Sequence, residues 1–311
     1  MLDTQTVPCD LCKGTEALPL YTLNDSWYGL AGEFVLRRCR RCGLMYLSPR
    51  PTPEAMPAYY PLAYDNYRPP IEDERWALMR WMRRRKLIQR RRLIERYSGQ
   101  TSGRLLDIGC ATGLFLHEMA LAGWEVMGIE PIAAGADFAR RRFGLNVFQG
   151  FLGQAPCAPA SFDVVTFWDV LEHTFSPSQE LAHAARLLRA GGLLTLSVPN
   201  WDSFDRRLFG PHWQGLDAPR HLYVFTRHTL TALLNQAGFQ VIKWDCFMPG
   251  YFSFIMSLER WLQDVRPGLS SLARRLFDLP GLRLPFEPWF ALTNRLGRGP
   301  TLAVFARRQT V

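Results

Sequence analysis

The chain has 311 residues, of which 48% are hydrophobic and 21% are charged. This composition is typical of a globular protein with ample core in one or two domains, and it excludes a disordered chain. Residues 1–5 form neither a basic region nor an apolar stretch, so we expect no secretory signal and a cytoplasmic protein. The uncharged stretch 143–162 is broken by glycines and prolines and cannot be a membrane span. The net charge of +9 makes an anionic partner worth considering.

The seven cysteines include two C-x-x-C pairs near the amino end. Cys9 and Cys12 form the first pair, Cys39 and Cys42 form the second, and a β-hairpin can fill the stretch between them. Two such turns that meet form the tetrahedral sulfur site that zinc prefers. Two disulfides or four unused thiols are the alternatives, but the expected cytoplasmic location favours a metal. Four protein sulfurs leave no open position, so a structural zinc is predicted.

Residues 75–96 account for the whole net charge, because they contain ten Lys or Arg and only one acid, Glu95. An amphipathic helix is predicted here, although Arg83, Lys86 and Arg90 interrupt its apolar stripe. The basic side chains form either a solvated face or a site for a phosphorylated substrate or for the inner face of a membrane. Nucleic acid is the less favoured partner.

A strand, a tight glycine turn and a helix are predicted for residues 104–120. The apolar run of the strand ends at Gly109, and helical spacing resumes after Gly113. This arrangement offers bare backbone and a helix N-terminus to a ligand, with Asp107 beside it. The next strand ends at Glu130, about where a Rossmann-type unit places the carboxylate that binds a ribose diol.

The glycine spacing distinguishes two kinds of cofactor. Dinucleotide sites use G-x-G-x-x-G, in which three glycines let the backbone approach a pyrophosphate. Here Gly109 is followed by Ala111 and Gly113, and Leu114 stands where the third glycine would fall. The pattern Asp-x-Gly-x-x-x-Gly resembles the S-adenosylmethionine (SAM) site of class I methyltransferases.

Strands and helices alternate through the rest of the core. Further strands are predicted at 145–148, 161–168, 193–198, 239–244 and 301–307, and further helices at 131–143, 176–190 and 226–238. This order predicts an α/β, Rossmann-like fold with a seven-stranded, mostly parallel sheet and helices on both faces. Ligands bind such sheets at the carboxyl ends of the strands.

The organisation along the chain follows from these elements. We expect a zinc ribbon over 1–50, a Tyr-rich segment and basic helix over 51–100, a SAM-binding core over 101–247, a helical cap insertion over 248–299, and the last core strand over 300–311. The Tyr-rich segment either packs the ribbon onto the core or closes over the pocket. The insertion is too long for a hairpin turn, and a cap or a dimer contact is favoured over a membrane-surface segment.

Several further motifs carry the family resemblance. They are Phe162–Val165, Asp169–His173, Leu187–Gly192, Pro199–Asn200, His221–Thr226 and Ala237–Phe239. Together with the glycine turn, they resemble class I SAM-dependent methyltransferases, and the ubiquinone-biosynthesis-like branch in particular. The C-x-x-C pairs are similar to those of bacterial members with an amino-terminal zinc module, which include sugar C-methyltransferases and enzymes of surface-glycan pathways.

The resemblance implies roles for individual residues. Those that would hold the methionine end of SAM are Asp107, Gly109, Ala111 and Gly113. Glu130 would bind the ribose hydroxyls, and Pro131 would pack beside the adenine. Many relatives place an acid after the third strand, and here either backbone groups or the aromatic face of Phe151 would contact the adenine instead. Trp168 and Asp169 would border the SAM amino group and the substrate.

The methyl group on a sulfonium is already activated, so catalysis chiefly requires that the acceptor, carbon and sulfur be aligned. A base is needed only for a hydroxyl or an acidic C–H acceptor. His221 and His173 are the candidates, since an unperturbed imidazole titrates near working pH. For each histidine, the alternative to a role as base is a purely structural role. In the loop after the fifth strand, Arg220 is expected to pair with an anionic group such as a phosphate.

Three functions remain at this stage. The first is a methyltransferase acting on a small molecule, such as a sugar nucleotide, a glycan-pathway intermediate or a lipid- or isoprenoid-linked intermediate. The second is an RNA methyltransferase that binds its substrate through the zinc ribbon and the Arg-rich helix. The third is a non-catalytic SAM-binding protein. The first is favoured, because the fourth strand lacks the amine-site motif of nucleic-acid enzymes and the basic patch is confined to one helix.

Overall fold

The computed structural model describes residues 3–60, 76–247, 250–270 and 285–309. Its first part consists of short strands, namely β1 (Thr4–Gln5), β2 (Ala17–Leu23), β3 (Phe34–Cys39), β4 (Met45–Leu47) and β5 (Arg50–Pro51). β2 and β3 pair as an antiparallel hairpin, and β3 pairs with β4. The hairpin expected between the two C-x-x-C pairs is therefore present, and a short 3₁₀ turn, Met56–Tyr59, follows β5.

The basic segment forms one long helix, α1 (Ala77–Ser98), as the apolar stripe predicted. It ends where Gly99 adopts a left-handed conformation with φ of 76°, which glycine reaches without a steric penalty. Ile94 on its inner side is fully buried. Much of the predicted Tyr-rich segment, including Tyr64 and Tyr67, lies outside the described residues.

The core then alternates strands and helices, as expected. Its elements are β6 (Arg104–Ile108), α2 (Leu114–Leu121), β7 (Glu125–Glu130), α3 (Ala133–Phe143), β8 (Val147–Gln149), β9 (Phe162–Trp168), α4 (Pro177–Leu187), β10 (Leu188–Pro199), α5 (Phe204–Phe209), β11 (Tyr223–Val224), α6 (Arg227–Gln236) and β12 (Phe239–Asp245). The insertion contributes α7 (Gly250–Val265) and α8 (Glu287–Arg295), and β13 (Thr301–Arg308) follows it. The helix predicted around Leu272–Phe277 lies outside the described residues.

One boundary was predicted wrongly. The sequence suggested that the helix from Ser176 would continue to Ala190, but α4 ends at Leu187 and β10 begins at the next residue. The reason is tertiary, because Leu188 already pairs with Phe162 of β9. The register then shifts before Leu193 pairs with Val164, so the intervening glycines form an irregularity within a strand.

The seven strands of the main sheet have the order β12-β13-β10-β9-β6-β7-β8. β13 is antiparallel to both of its neighbours, while β10, β9, β6, β7 and β8 run parallel. The predicted Rossmann-like fold is therefore confirmed. The chain leaves β6 toward β7 and β8 and then crosses to β9 on the other side. This reversal places a crevice at the carboxyl ends of β6 and β9, where ligands bind in open α/β sheets.

The amino-terminal strands are attached to this core. Strand β11 from the core adds to the small sheet, with Tyr223 opposite Tyr46. Asp10, in the first C-x-x-C turn, accepts hydrogen bonds from the hydroxyls of Ser176 and Ser178 and from the Ser178 backbone N–H, at 2.7–2.9 Å. A carboxylate at the start of α4 is favourable because it satisfies unpaired N–H groups there. Among the described residues, no helix is both long and apolar enough to cross a membrane.

Candidate active site

A cavity of about 710 Å³ opens at the carboxyl ends of β6 and β9. Its walls include the glycine turn after β6, helix α1, the segment after β9 and the first turns of α7. Its volume lies within the range of small-molecule and cofactor sites. The predicted residues that line it are Asp107, Gly109, Ala111, Trp168, Asp169, His173 and His221.

The glycine turn requires its glycines for two reasons. Gly109 and Gly113 have φ of 68° and 76°, and a Cβ at Gly109 would lie 2.5 Å from Val170. A Cβ at Gly113 would lie 2.8 Å from that of Ala139, so the turn packs directly against the core. Ala111 also has a positive φ, 48°, which costs energy for a residue with a side chain.

Glu130 stabilises that strained residue. Its Oε2 accepts the backbone N–H of Ala111 at 2.9 Å, and its Oε1 accepts that of Ile132, also at 2.9 Å. Burial raises the pKa of Glu130, although these two hydrogen bonds favour its charged form. The carboxylate lies behind the turn rather than among the residues that line the cavity. Its position stabilises the shape of the turn. Each carboxylate oxygen has one further lone pair, which could accept a hydrogen bond from the ribose hydroxyls that the resemblance implies.

Asp107 is buried at the end of β6 and lines the cavity. It accepts a hydrogen bond from the hydroxyl of Thr166 on the neighbouring strand β9. Burial raises the pKa of Asp107 to about 7, although the Thr166 hydroxyl and the charge of Arg90 act in the opposite direction. A cationic ligand group would favour its charged form.

Arg90 of α1 connects the basic helix to the mouth of β9. Its guanidinium lies 4.5 Å from the centroid of the Trp168 ring and 3.8 Å from Oδ2 of Asp169. Asp169 is held in turn by Ser197 of β10, whose hydroxyl donates to Oδ1 at 2.9 Å. The two residues predicted to border the SAM amino group are therefore ordered by an arginine from another element.

The basic residues that interrupted the apolar stripe of α1 have a location in common. Arg83, Lys86 and Arg90 all line the cavity, together with the apolar Leu87. Their inward position explains why they fall within the stripe. They bring positive charge to a cavity whose other walls carry Asp107 and Asp169.

Two histidines that line the cavity lie side by side. The rings of His173 and His221 are 4.6 Å apart and nearly perpendicular. Nδ1 of His173 lies 3.0 Å from the carbonyl oxygen of Arg220, and Nδ1 of His221 lies 3.0 Å from that of Gly215. A carbonyl can only accept, so each Nδ1 carries a proton and each Nε2 is left with a lone pair.

Both imidazoles are neutral near pH 7. Burial and the neighbouring His221 together lower the pKa of His173 to about 3, although the charge of Asp217 opposes the shift. Burial also lowers the pKa of His221, and Asp217 again acts in the opposite direction. Each ring is therefore in the form that has a lone pair on Nε2, and the charge of Asp217 favours the protonated form of both.

Glu172 is fully buried beside this pair. Neither of its carboxylate oxygens has a hydrogen-bond partner among the described residues, and burial raises its pKa well above the usual range. Ligand atoms of Glu172, His173 and His221 lie within 4.8 Å of one another, so the three could also hold one divalent cation. This end of the cavity offers acceptors and would suit a ligand that donates hydrogen bonds.

Arg220 does not have the role expected from the sequence. It is completely buried and is held between Asp25 and Asp217, with N–O distances of 2.7–3.0 Å. Its charge is balanced within the protein, so it is not available to a phosphate. The pair with Asp25 joins the amino-terminal strands to the loop that carries His221.

Several lining residues were not identified from the sequence. Trp27 and Tyr28, in the turn between β2 and β3, reach the cavity, as do Gln214 and Asp217. The turn is fixed because Oδ1 of Asp25 accepts the backbone N–H groups of both aromatic residues, at 3.0 and 3.1 Å. No local pattern marks these side chains, since their position depends on how the amino-terminal strands dock.

Some predicted cofactor residues lie apart from the lining. Gly113 and Glu130 stand behind the turn, and Pro131 and Phe151 are solvent-exposed, Phe151 by 62%. Tyr60, from the Tyr-rich segment, lies next to the cavity, because its hydroxyl is 3.2 Å from Nδ1 of His173. The contacts expected for the adenine remain predictions.

The four amino-terminal cysteines converge, as their spacing predicted. Their sulfurs lie within 4.8 Å of one another, with Cys9 3.4 Å from Cys42 and Cys12 3.4 Å from Cys39. These distances are far longer than a disulfide bond of about 2.05 Å. Four sulfurs about 2.3 Å from a central zinc would be about 3.8 Å apart, so the cluster fits such a site.

The fold is that of an α/β protein with a cavity at the switch point of its sheet, which is where ligands bind in such folds. The model of a methyltransferase-domain family matches residues 79–243, which is more than half of the chain. The chain therefore belongs to this methyltransferase family, and it is a SAM-dependent enzyme. This agrees with the class indicated by the glycine turn.

Named relatives share much of this core. A Mycolicibacterium smegmatis protein with the name probable S-adenosylmethionine-dependent methyltransferase is 30% identical over 60% of this chain and 68% of its own length. A ubiquinone biosynthesis O-methyltransferase of Burkholderia pseudomallei is 28% identical over 45% of this chain and 66% of its own length. A second mycobacterial relative, from Mycobacterium tuberculosis, is covered over 63% of its length.

A solved structure supports the fold independently. The structure of a Galdieria sulphuraria protein, described as a candidate sarcosine dimethylglycine methyltransferase, superposes with a TM-score of 0.51. The match covers 78% of this chain and 91% of that one at 13% identity. At this identity the likeness concerns the fold alone.

Proposed function

We propose that the protein transfers the methyl group of SAM to a hydroxyl group of a small-molecule acceptor. The observation that carries the proposal is the pair His173 and His221, each with Nδ1 fixed on a backbone carbonyl and Nε2 left to accept a proton. The pair lines the same cavity as the glycine turn. A related protein named as an O-methyltransferase supports oxygen as the acceptor atom.

The cavity would divide between cofactor and acceptor. The turn from Gly109 to Ala111, with Asp107, would hold the methionine end of SAM, and Asp169 would bind its amino group. The acceptor would then occupy the end formed by Glu172, His173 and His221. Trp168 also lines the cavity, where it would limit the access of water to the reacting atoms.

SAM, when bound, supplies a methyl group that is activated by its positively charged sulfur. The protein positions the acceptor hydroxyl in line with the carbon–sulfur bond, which can contribute ~7–11 kcal/mol in favourable cases. Nε2 of His221 would take the hydroxyl proton when the methyl group is transferred to the acceptor oxygen, and SAH would be the second product. Asp217 stabilises the resulting imidazolium, since its charge raises the pKa of His221.

The acceptor is proposed to be a hydroxylated metabolite, such as a sugar nucleotide, a glycan-pathway intermediate or a lipid-linked intermediate. Glu172 and both Nε2 atoms can accept hydrogen bonds from such a ligand, while Arg83 and Lys86 on the opposite wall suit an anionic group. An RNA acceptor is less favoured, because the excess of positive charge is concentrated in one helix.

The decisive experiment combines binding and transfer. Calorimetry with SAM and S-adenosylhomocysteine (SAH) should first show binding of both. Cell-extract fractions incubated with tritiated SAM should then yield a small labelled product in which the methyl group is on oxygen. Label on nitrogen or carbon would refute the assignment of the acceptor atom, and the absence of SAH binding would refute the whole proposal.

A second proposal concerns the four cysteines. We infer that Cys9, Cys12, Cys39 and Cys42 bind a structural zinc ion, because their sulfurs converge while the turn around Asp10 docks on α4. The metal would fix the two C-x-x-C turns and so the hairpin that carries Trp27 and Tyr28. Elemental analysis of the purified protein should give one zinc per chain, and a value near zero in reducing buffer would contradict it.

A further inference from the structure

Helix α1 has an outer face of unusual composition. Among the side chains of α1 that the structure describes, the exposed ones beyond its first residue are Trp81, Arg84, Arg85, Gln89, Arg92 and Arg96. They recur at intervals of three and four residues, so they form one stripe along the helix. We infer that this stripe, which we call the outer face of α1, docks on an anionic lipid bilayer.

The charge of the outer face is the first argument. α1 contains nine Lys or Arg, and Glu95 is its one acid. Glu95 is half-buried and engaged by Arg91 at 2.8 Å, so it does not offset the exposed arginines. Basic groups close to an anionic leaflet each strengthen binding by about fivefold. Four exposed arginines on one face therefore suit a surface of phosphate headgroups.

The exposed aromatic rings are the second argument. Trp81 is 57% exposed on the outer face, and the guanidinium of Arg85 lies 5.1 Å from its ring. Trp76, just before the helix, is 54% exposed. Tryptophan favours the boundary between headgroups and acyl chains, where its apolar ring contacts the acyl chains and its N–H forms hydrogen bonds with headgroups or water. The outer face of α1 therefore combines the charge that anionic headgroups attract with a ring suited to the headgroup boundary.

Helix α1 also forms part of the wall of the cavity. Arg83 and Lys86 of α1 line it from one side, and Phe252 of α7 lines it from the other while 47% exposed. Residues of both α1 and α7 therefore border the cavity. Gln89 of the outer face also lines it, although Arg85 and Arg92 lie on the opposite side of the helix from Arg83. A bilayer bound to the outer face of α1 would be within one helix width of the cavity, ~10 Å, and an acceptor with a lipid anchor could enter it without leaving the membrane. This consequence rests on the proposed function, but the docking itself does not.

A nucleic acid is the competing anionic partner. Single-stranded RNA is bound along grooves in which basic and aromatic side chains alternate over several elements. Here the exposed charge and Trp81 lie on one convex helix. The observations therefore favour a lipid surface, and RNA binding becomes an outcome of the test.

The test compares two charge reversals in the full chain. Arg84→Glu with Arg85→Glu changes the outer face of α1, and Arg141→Glu with Arg142→Glu makes the same change on α3, where Asp137 already accompanies the exposed arginines. Co-flotation is measured with phosphatidylcholine vesicles and with vesicles that contain about 30% phosphatidylglycerol, at about 150 mM salt. SAH affinity and melting temperature confirm that each variant is folded, and neither depends on catalysis.

We expect the wild-type protein to float with anionic vesicles and not with neutral ones. The reversal on α1 should lower partitioning at least tenfold, and the reversal on α3 should change it less than threefold. Trp81→Ala should lower it severalfold without a change in charge. Equal effects of the two reversals, no flotation of the wild type, or tight binding of a single-stranded RNA at the same salt without vesicle binding would each overturn the inference. Activity is not measured, so failure of the proposed reaction would be seen separately.

Discussion

The carboxylate of Glu130 and the backbone N–H of Ala111 are joined by a hydrogen bond of 2.9 Å that links the end of β7 to the turn after β6. Ala111 has a left-handed conformation, which is unfavourable for any residue with a Cβ. The bond stabilises the turn in the shape that faces the cavity. The family resemblance gives Glu130 a contact with the ribose, and the structure adds a second reason for an acid at this position.

This relationship predicts the effect of Glu130→Gln. The amide has one accepting oxygen, so one of the two backbone N–H groups that Glu130 now satisfies would face an NH₂ group. A buried donor without a partner costs about 1–3 kcal/mol. We expect SAH affinity, measured by calorimetry, to fall about 10- to 100-fold.

The matched control for that substitution is Glu125→Gln at the other end of β7, where the side chain is 71% exposed. It should leave SAH affinity within twofold. Equal affinities for wild type and Glu130→Gln would show that the turn keeps its shape without this carboxylate.

The histidine pair predicts a selective loss of turnover. His221→Gln removes the nitrogen proposed to take the acceptor proton, and loss of such a general base typically costs 10²–10⁴-fold in rate, an order-of-magnitude range. SAH affinity should be unchanged, since the cofactor would occupy the other end of the cavity. Methyl transfer to the active extract fraction provides the measurement, and the exposed His228→Gln serves as control. A variant that retains full turnover would assign His221 a structural role.

Asp107 predicts a dependence of cofactor affinity on pH. Burial raises the pKa of Asp107 to about 7, so in the free protein it loses its proton as the pH rises through that value. The cationic methionine end of the cofactor favours the charged carboxylate, so SAH should bind more tightly at pH 7.5 than at about pH 6. Asp107→Asn should abolish this rise, because the amide does not titrate. A parallel pH profile in wild type and variant would rule out Asp107 as the group responsible.

The same shift has a consequence for stability. The folded-state pKa of Asp107 lies above the value of about 3.9 expected in the unfolded chain. Between these two values the unfolded chain binds fewer protons, so this residue makes the free protein less stable as the pH rises from about 4 to 7. The difference in melting temperature between Asp107→Asn and wild type should therefore grow over that interval. Bound SAH should reduce the difference by stabilising the charged form.

The cysteine cluster predicts coupling between metal and fold. Cys39→Ser removes one of the four sulfurs, and it should lower the zinc content and the melting temperature, by several degrees or more for a loss of about 2 kcal/mol. Cys157→Ser is the control, because Cys157 lies outside the cluster. A Cys39→Ser protein that keeps both its zinc and its melting temperature would contradict the proposed metal site.

The buried pair Asp25 and Arg220 predicts that the amino-terminal strands contribute to the stability of the core. Asp25→Ala would leave the guanidinium of Arg220 without one of its two carboxylates in a site of zero exposure. Removal of one partner of a buried ion pair costs about 3–5 kcal/mol. Urea unfolding should show this as a lower midpoint, and Asp3→Ala, at the exposed start of the described chain, should have no effect.

The sequence by itself determined the elements that depend on local pattern. Gly109 and Gly113 mark a turn in which a Cβ would clash or strain the backbone, and alternating apolar runs and helices specify the sheet. The spacing of the C-x-x-C pairs likewise brings four sulfurs together. These features depend on neighbouring residues, so they could be predicted without coordinates.

The tertiary structure decided what depends on contacts between distant segments. α4 ends at Leu187 because a strand partner is available to Leu188, and Arg220 is buried because Asp25 comes from the far end of the chain. Only docking brings Trp27 to the cavity and turns Arg83 inward. Burial and pairing are properties of the packed molecule, and the free energy of a charge depends on what surrounds it rather than on its place in the sequence.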